Sequence, residues 1–181
     1  MVARRIVAGP HVRDACARHI RDLKHGPKRG LTWDVELARE AIAFFAEILC
    51  LAEDVPFILH DWQQFIVGSL FGWLGQDGYR RFRVAYVETG KGSGKSPLAA
   101  GIGLKMLVAD GEYRAECYAA AAKKDQAMVL FRDAVAIVKA SPELRARLGF
   151  SGGDGREWNI AYLDTASFFR PISSESQGRG Q

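Results

Sequence analysis

Apolar residues in the first part of the chain recur at three- and four-residue steps, the spacing of an amphipathic helix. The clearest run extends from Asp34 to Ala52, and Asp34 stands where an N-cap belongs. Its apolar stripe consists of Leu37, Ala41, Phe44, Phe45, Ile48 and Leu51. Glycines and a proline at 26–30 separate this helix from an earlier one over 12–24, and an aromatic-rich third helix follows over 60–73. The pattern therefore predicts a helical region over residues 1–78.

The pattern changes after the turn-like run Gly75–Gly78, because short β-rich segments now alternate with helical ones. Strands that alternate with helices indicate an α/β fold. We therefore expect residues 79–181 to form a second region, a parallel sheet flanked by helices. The predicted order is a strand at 84–87, a helix at 98–108, a strand at 115–121, a helix at 124–139, and a hairpin of two short strands at 158–163 and 167–172.

The most specific chemical signal is the segment RVAYVETGKGSGKS at residues 83–96. A strand that passes into glycines and then into Gly-Lys-Ser at the start of a helix is the order of a phosphate-binding loop. In such a loop Lys95 reaches the β- and γ-phosphates and Ser96 binds Mg²⁺. The predicted nucleotide contacts are Gly90, Gly92, Ser93, Gly94, Lys95 and Ser96.

This segment departs from the pattern G-x-x-x-x-G-K-[ST] at one position. Thr89 stands where the pattern has its first glycine, and Gly90 follows one residue later. Pro97 suits the first helical turn, where its missing N–H needs no partner. A dinucleotide-binding fingerprint is disfavoured because Lys95 occupies the place of its third glycine. A purely structural glycine-rich turn remains the alternative interpretation.

Composition indicates an ordinary globular chain, with 48% hydrophobic and 25% charged residues. No apolar run approaches the roughly 20 residues that span a bilayer, and the N-terminus lacks the apolar core of a signal peptide, so we expect a cytoplasmic location. The net charge of +4 does not by itself predict DNA binding. Three cysteines (Cys16, Cys50, Cys117) lie far apart and read as core residues, and four scattered histidines suggest no metal site.

A phosphate-loop motor also needs an aspartate for Mg²⁺ and a carboxylate that orients water. Asp110 follows the apolar residues 106–109, as a Mg²⁺-binding aspartate at the end of a strand would. These residues, however, lie at the end of the helix predicted after the loop. Asp164 belongs to the turn predicted for the hairpin. Neither residue fits the role. Gln63 could read an adenine edge, since its amide offers both a donor and an acceptor.

The loop and the segments around it give the chain a resemblance to the large subunit of tailed-phage terminase, the ATP-driven motor that packages DNA into the prohead. The likeness extends from about His11 to the C-terminus, and the ordered succession of segments is more specific than the loop alone. The stretches that carry it are Ala15–Leu23, Trp62–Trp73, Arg81–Arg83, Gly94–Ala100 and Asp125–Ala127.

The resemblance implies a P-loop NTPase of the RecA-like, additional-strand class that uses ATP and Mg²⁺. It assigns phosphate contact to Lys95, Mg²⁺ contact to Ser96 and adenine recognition to Gln63. The family loop often reads Arg-Lys-Asn-Gly-Lys-Ser, and this chain has Lys91 in place of the arginine. The resemblance therefore makes Lys91 a candidate catalytic residue that keeps the positive charge but not the planar guanidinium. Implied partners are viral double-stranded DNA, the portal protein, the small terminase subunit and other copies in a ring.

The resemblance also implies that the Mg²⁺-binding aspartate, its catalytic glutamate and the nuclease domain would lie beyond Gln181, which leaves the sheet incomplete. We therefore expect the parent protein to hydrolyse ATP, translocate DNA and cleave it. The fragment is expected to bind nucleotide as a monomer with little or no turnover. Two alternatives remain open: another phosphate-loop enzyme, such as a helicase or a small-molecule kinase, and a non-enzymatic module that binds nucleotide, protein or DNA.

Overall fold

The computed structural model describes residues 7–174. The chain divides into two compact units. The first comprises Met1–Glu40 and Phe65–Tyr86, and the second comprises Ala41–Gln64 and Val87–Gln181. Two helices, α2 (Val35–Ile48) and α3 (Asp61–Gly72), carry the chain from one unit to the other.

The first unit is mainly helical, as the apolar periodicity predicts. It begins with α1 (Pro10–His25), followed by a 3-10 turn (Pro27–Arg29). Strand β1 (Thr32–Trp33) pairs antiparallel with β4 (Trp73–Leu74), the strand that follows α3.

The predicted N-cap of α2 is confirmed. The Asp34 carboxylate accepts hydrogen bonds from the backbone N–H groups of Glu36 and Leu37, at 2.9 and 3.0 Å. These two N–H groups have no partner within the helix, so the side chain satisfies them and fixes where α2 begins.

An aromatic cluster joins α1 to the small sheet of the first unit. The indole N–H of Trp73 donates to Nδ1 of His19 at 3.0 Å, and the rings of Trp33 and Phe65 meet the imidazole edge-on. Burial lowers the pKa of His19, and the negative charge of Asp22 partly offsets that effect. A neutral imidazole suits this position because Nδ1 must accept the indole hydrogen bond.

The second unit is built on a four-stranded sheet in the order β5-β8-β7-β6. Its strands are β5 (Glu116–Ala121), β6 (Gly149–Ser151), β7 (Asn159–Tyr162) and β8 (Ser167–Ser173). A short hairpin of β2 (Cys50–Ala52) and β3 (Val55–Pro56) forms a separate sheet. The helices of this unit are α4 (Lys95–Ala109), α5 (Lys124–Ala140) and α6 (Pro142–Arg147).

The sheet is mixed, which corrects the prediction of a parallel sheet. Only β5 and β8 are parallel, in a register that runs from Glu116 opposite Phe168 to Ala121 opposite Ser173. The chain reverses between β7 and β8 through a 3-10 turn (Leu163–Thr165), so the predicted hairpin is confirmed and contributes antiparallel strands. Helix α5 supplies the fully buried Phe131 that packs against Phe169 of the sheet.

The strand predicted at 84–87 is wrong. This segment belongs to no strand of the described residues, and the side chains of Val84 and Tyr86 are both 86% exposed. Valine and tyrosine favour strands, but a strand forms only when a neighbour takes its backbone hydrogen bonds.

The three cysteines are half-buried rather than core residues. Within residues 7–174, no group of three or more His, Cys, Asp or Glu side chains could hold a metal ion.

Candidate phosphate-binding loop

A glycine-rich loop over residues 89–94 leads directly into α4, which begins at Lys95. Gly92 and Gly94 both adopt the left-handed conformation, with φ of +81° and +78°. A side chain with a Cβ is strained in this region, so the two glycines are what allow the chain to turn sharply into the helix. The Gly94 carbonyl accepts the N–H of Leu98 at 3.1 Å, which starts the helical hydrogen bonding.

Hydroxyl groups close the loop on itself. Ser93 Oγ donates to the Gly90 carbonyl at 2.8 Å and also forms a hydrogen bond with Thr89 Oγ1. Thr89, the residue that departs from the usual pattern, therefore contributes a side chain to the closure of the loop. This contact between positions 89 and 93 is not evident from the sequence.

The Lys95 side chain folds back over the loop. Its ammonium group donates to the carbonyl oxygens of Thr89 and Gly90, at 2.7 and 2.9 Å. A positive charge therefore lies within the loop at the N-terminal end of α4, where the helix dipole adds a further partial positive charge. The first turn of α4 contains no acidic residue to offset either one. This arrangement favours an anion such as phosphate.

Gln63 lies beside this loop, although 31 positions separate it from Gly94. The side chain is 3% exposed, and its Oε1 accepts the backbone N–H of His60 at 2.9 Å. A Cβ added to Gly94 would lie 3.4 Å from Gln63 Nε2, so the amide nitrogen borders the loop. The structure thus places Gln63, the residue predicted to contact adenine, beside the predicted phosphate-binding loop.

The remaining predicted residues occupy the loop and the start of the helix. Lys91 is exposed on the loop, and Ser96 is half-buried in the first turn of α4. Asp110 caps the other end of α4, as the sequence predicts, and pairs with Lys105 at 3.2 Å. Because α4 has 15 residues, about 22 Å of helix separates Asp110 from the loop.

The first unit also contains a buried ion cluster that the sequence pattern does not predict. Asp22 of α1 is fully buried and binds Arg29 and Arg81, the latter at 2.8 Å. Burial raises the pKa of the Asp22 carboxyl, but hydrogen bonds and positive charge from the two arginines outweigh this and hold it below its ordinary value. No local pattern identifies the cluster, because Arg81 is 59 positions from Asp22 in the sequence.

The fold and the loop define a class: α/β proteins in which a glycine-rich loop leads into a helix that carries lysine and serine in its first turn. Within that class the family is also defined. The family model described as "Terminase large subunit, ATPase domain" matches residues 61–176, and the chain belongs to that family.

A solved structure supports the same fold. The crystal structure of the HK97 bacteriophage large terminase aligns with a TM-score of 0.64 at 21% identity. The alignment covers 80% of this chain and 28% of the HK97 chain, so this chain spans little more than a quarter of that protein. Comparison with curated proteins finds no match. Across residues 7–174, no helix has the length and apolar content that a membrane crossing requires.

Proposed function

We propose that this chain is the ATP-binding part of a phage DNA-packaging motor. The observation that carries the proposal is the convergence of Lys95 and Gln63 on a glycine-rich loop at the N-terminus of α4. The family to which residues 61–176 belong is an ATPase domain, which supports the assignment.

The residues of the loop fit Mg²⁺ and ATP. Two left-handed glycines, a loop lysine and the start of a helix provide the N–H groups and positive charge that phosphates require. In this proposal Lys95 holds the β- and γ-phosphates and Ser96 holds Mg²⁺. The backbone of Gly90, Gly92, Ser93 and Gly94 surrounds the phosphates. Gln63 contacts the adenine, and Lys91 is the catalytic cation of the loop.

When bound, ATP would supply the γ-phosphoryl group for transfer to water, and Mg²⁺ would offset the charge of its phosphates. The part played by this chain is to bind and orient the phosphates and to offset their charge through Lys95 and the N-terminus of α4. The two carboxylates considered for orienting water lie elsewhere: Asp110 stands at the opposite end of α4, and Asp164 lies in the turn between β7 and β8. We infer that this chain binds nucleotide but turns it over slowly, because a carboxylate that orients water is part of efficient hydrolysis.

The proposed role of the whole protein follows from the family. It would hydrolyse ATP to move viral double-stranded DNA into the prohead and would cleave that DNA with a separate nuclease domain. We propose that it acts as a ring in the host cytoplasm, together with the portal protein and the small terminase subunit. We also propose that the chain divides into a helical region at 1–78 and the ATPase region at 79–181. The ATPase region is proposed to belong to the RecA-like, additional-strand class.

Calorimetric titration with Mg-ATP tests the nucleotide site directly. We expect saturable binding by the wild-type chain, loss of binding in Lys95→Ala and weaker binding in Gln63→Ala, with little phosphate release. Lys123→Ala is the matched control, because it removes an exposed lysine elsewhere in the second unit. Unchanged affinity in a folded Lys95→Ala variant would contradict the proposal and favour a structural turn in a non-enzymatic module.

A further inference from the structure

Positive charge is concentrated near the N-terminal end of the chain. The first 30 residues hold eight of the 25 Lys and Arg residues but only two of the 21 Asp and Glu residues. The other 151 residues carry 17 basic and 19 acidic side chains, so the net charge of +4 originates in this segment. We propose that the exposed cations of α1 and the 3-10 turn after it form a surface that binds the phosphate backbone of duplex DNA.

The two acidic residues of this segment do little to neutralise the surface. Asp22, a residue of α1, is fully buried and is already paired with Arg29 and Arg81. Asp14 is exposed, and it is the one exposed carboxylate among the described residues up to Gly30. Six Lys and Arg side chains are exposed over the same range: Arg13, Arg18, Arg21, Lys24, Lys28 and Arg29.

Asp22 also forms ion pairs with two of these arginines. Arg29 binds the Asp22 carboxylate and Arg21 lies 3.7 Å from it, yet their side chains remain 53% and 61% exposed. Arg18 is fixed in another way, since its guanidinium lies 4.9 Å from the centre of the Phe82 ring. A guanidinium held on one side can still present its other N–H donors to a phosphate.

The cations extend along one side of the helix. At 100° per residue, Arg13, Arg21 and Lys24 fall within an arc of about 80°, and roughly 16 Å of helix axis separates Arg13 from Lys24. Lys28 is exposed in the 3-10 turn that follows α1. DNA carries a charge every 3.4 Å or so along each strand, so a row of this length spans several phosphates. Contacts of this kind are independent of base sequence.

An anionic membrane is the competing partner, because Val12, Ile20 and Leu23 form an exposed apolar stripe next to the cations. Two observations favour DNA. Of the large apolar residues that anchor interfacial helices (Trp, Phe and Leu), α1 contains a single leucine, Leu23. The basic residues also continue past the last apolar residue of the stripe, to Lys28 and Arg29.

The choice of DNA as the partner rests on the proposed packaging function. The test distinguishes failure of DNA binding at α1 from failure of nucleotide binding at the loop. We would measure fluorescence anisotropy of a 30-base-pair duplex of arbitrary sequence over a series of KCl concentrations, without nucleotide. The variant combines Arg13→Ala, Lys24→Ala and Lys28→Ala, none of which removes a partner of Asp22. The control removes three exposed cations of the second unit, through Lys123→Ala, Lys124→Ala and Arg132→Ala.

We expect the slope of log affinity against log salt concentration to fall by about 3 in the α1 variant, about one for each lost phosphate contact. The control should change it by less than 1. An unchanged slope in the α1 variant, or an equal loss in the control, overturns the inference. So does binding to phosphatidylglycerol vesicles without binding to the duplex. Mg-ATP binding is measured separately and should be unaffected in the α1 variant, so failure of one proposal leaves the other standing.

Discussion

Replacement of Gly94 by alanine tests whether the loop has the conformation described here. Gly94 has φ of +78° and ψ of +23° as the N-cap of α4. A Cβ at this position would meet Gln63 Nε2 at 3.4 Å, an ordinary contact, so crowding is not the problem. The cost of the substitution arises from the left-handed backbone itself.

That cost can be estimated. An alanine in the left-handed helical region is disfavoured by about 1–2 kcal/mol relative to glycine. Replacing glycine by alanine also stabilises the folded protein by about 0.4–1 kcal/mol, because alanine lowers the conformational entropy of the unfolded chain. This gain opposes the cost of the left-handed backbone. Gly90→Ala isolates that gain, because Gly90 has no positive φ and no atom within 4 Å of an added Cβ. The difference between the two variants should therefore be about 1–2 kcal/mol.

Urea unfolding of the wild-type chain and both variants measures this difference. We expect Gly94→Ala to be less stable than Gly90→Ala by that amount and to bind Mg-ATP more weakly, because the loop must distort to relieve the strain. Equal stability of the two variants would refute the left-handed turn at Gly94, and with it the geometry of the loop.

Two further predictions concern buried and paired charges. Asp22→Asn should lower the free energy of unfolding by roughly 2 kcal/mol, below the range for fully buried pairs because Arg29 is half-exposed. Because the pKa of Asp22 is lower in the folded than in the unfolded protein, the carboxylate stabilises the fold above the unfolded pKa, and this stabilisation is lost as pH falls through the folded pKa. The unfolding free energies of the wild-type and Asp22→Asn proteins should therefore converge in acid. A difference that stays constant with pH would contradict this. The hydrogen bond from Lys139 lowers the pKa of Glu157 to about 2, so Lys139→Met should raise it in a carboxyl NMR titration, whereas an unchanged value would exclude that cause.

Helices α4 and α5 could be predicted closely because their signal is local, whereas the helix predicted over 34–52 ends at Ile48 and residues 50–52 form β2. The apolar spacing predicts helices at 98–108 and 124–139, and the structure has α4 at Lys95–Ala109 and α5 at Lys124–Ala140. Strands depend on partners that local spacing does not reveal. The segment at 84–87 has strand-forming residues but no partner strand among the described residues, and the three-residue β6 is too short to show a pattern.

The candidate site was predictable as a set of residues but not as an arrangement. The Gly-Lys-Ser run identifies the loop, since its chemistry depends on neighbouring positions. The proximity of Gln63 to Gly94 depends on the tertiary fold of the second unit, which joins residues 31 positions apart. Likewise, the hydrogen bond between Thr89 and Ser93 depends on the turn that brings these two side chains together.

The central claim is that Mg-ATP binds at the loop before α4. The most direct test is the change in backbone amide NMR shifts as Mg-ATP is added to the isotope-labelled chain. We predict the largest shifts at residues 90–96 and at the side-chain amide of Gln63, and no such pattern in Lys95→Ala. Saturation with nucleotide that leaves these signals unchanged, or shifts confined to another part of the chain, would contradict the account.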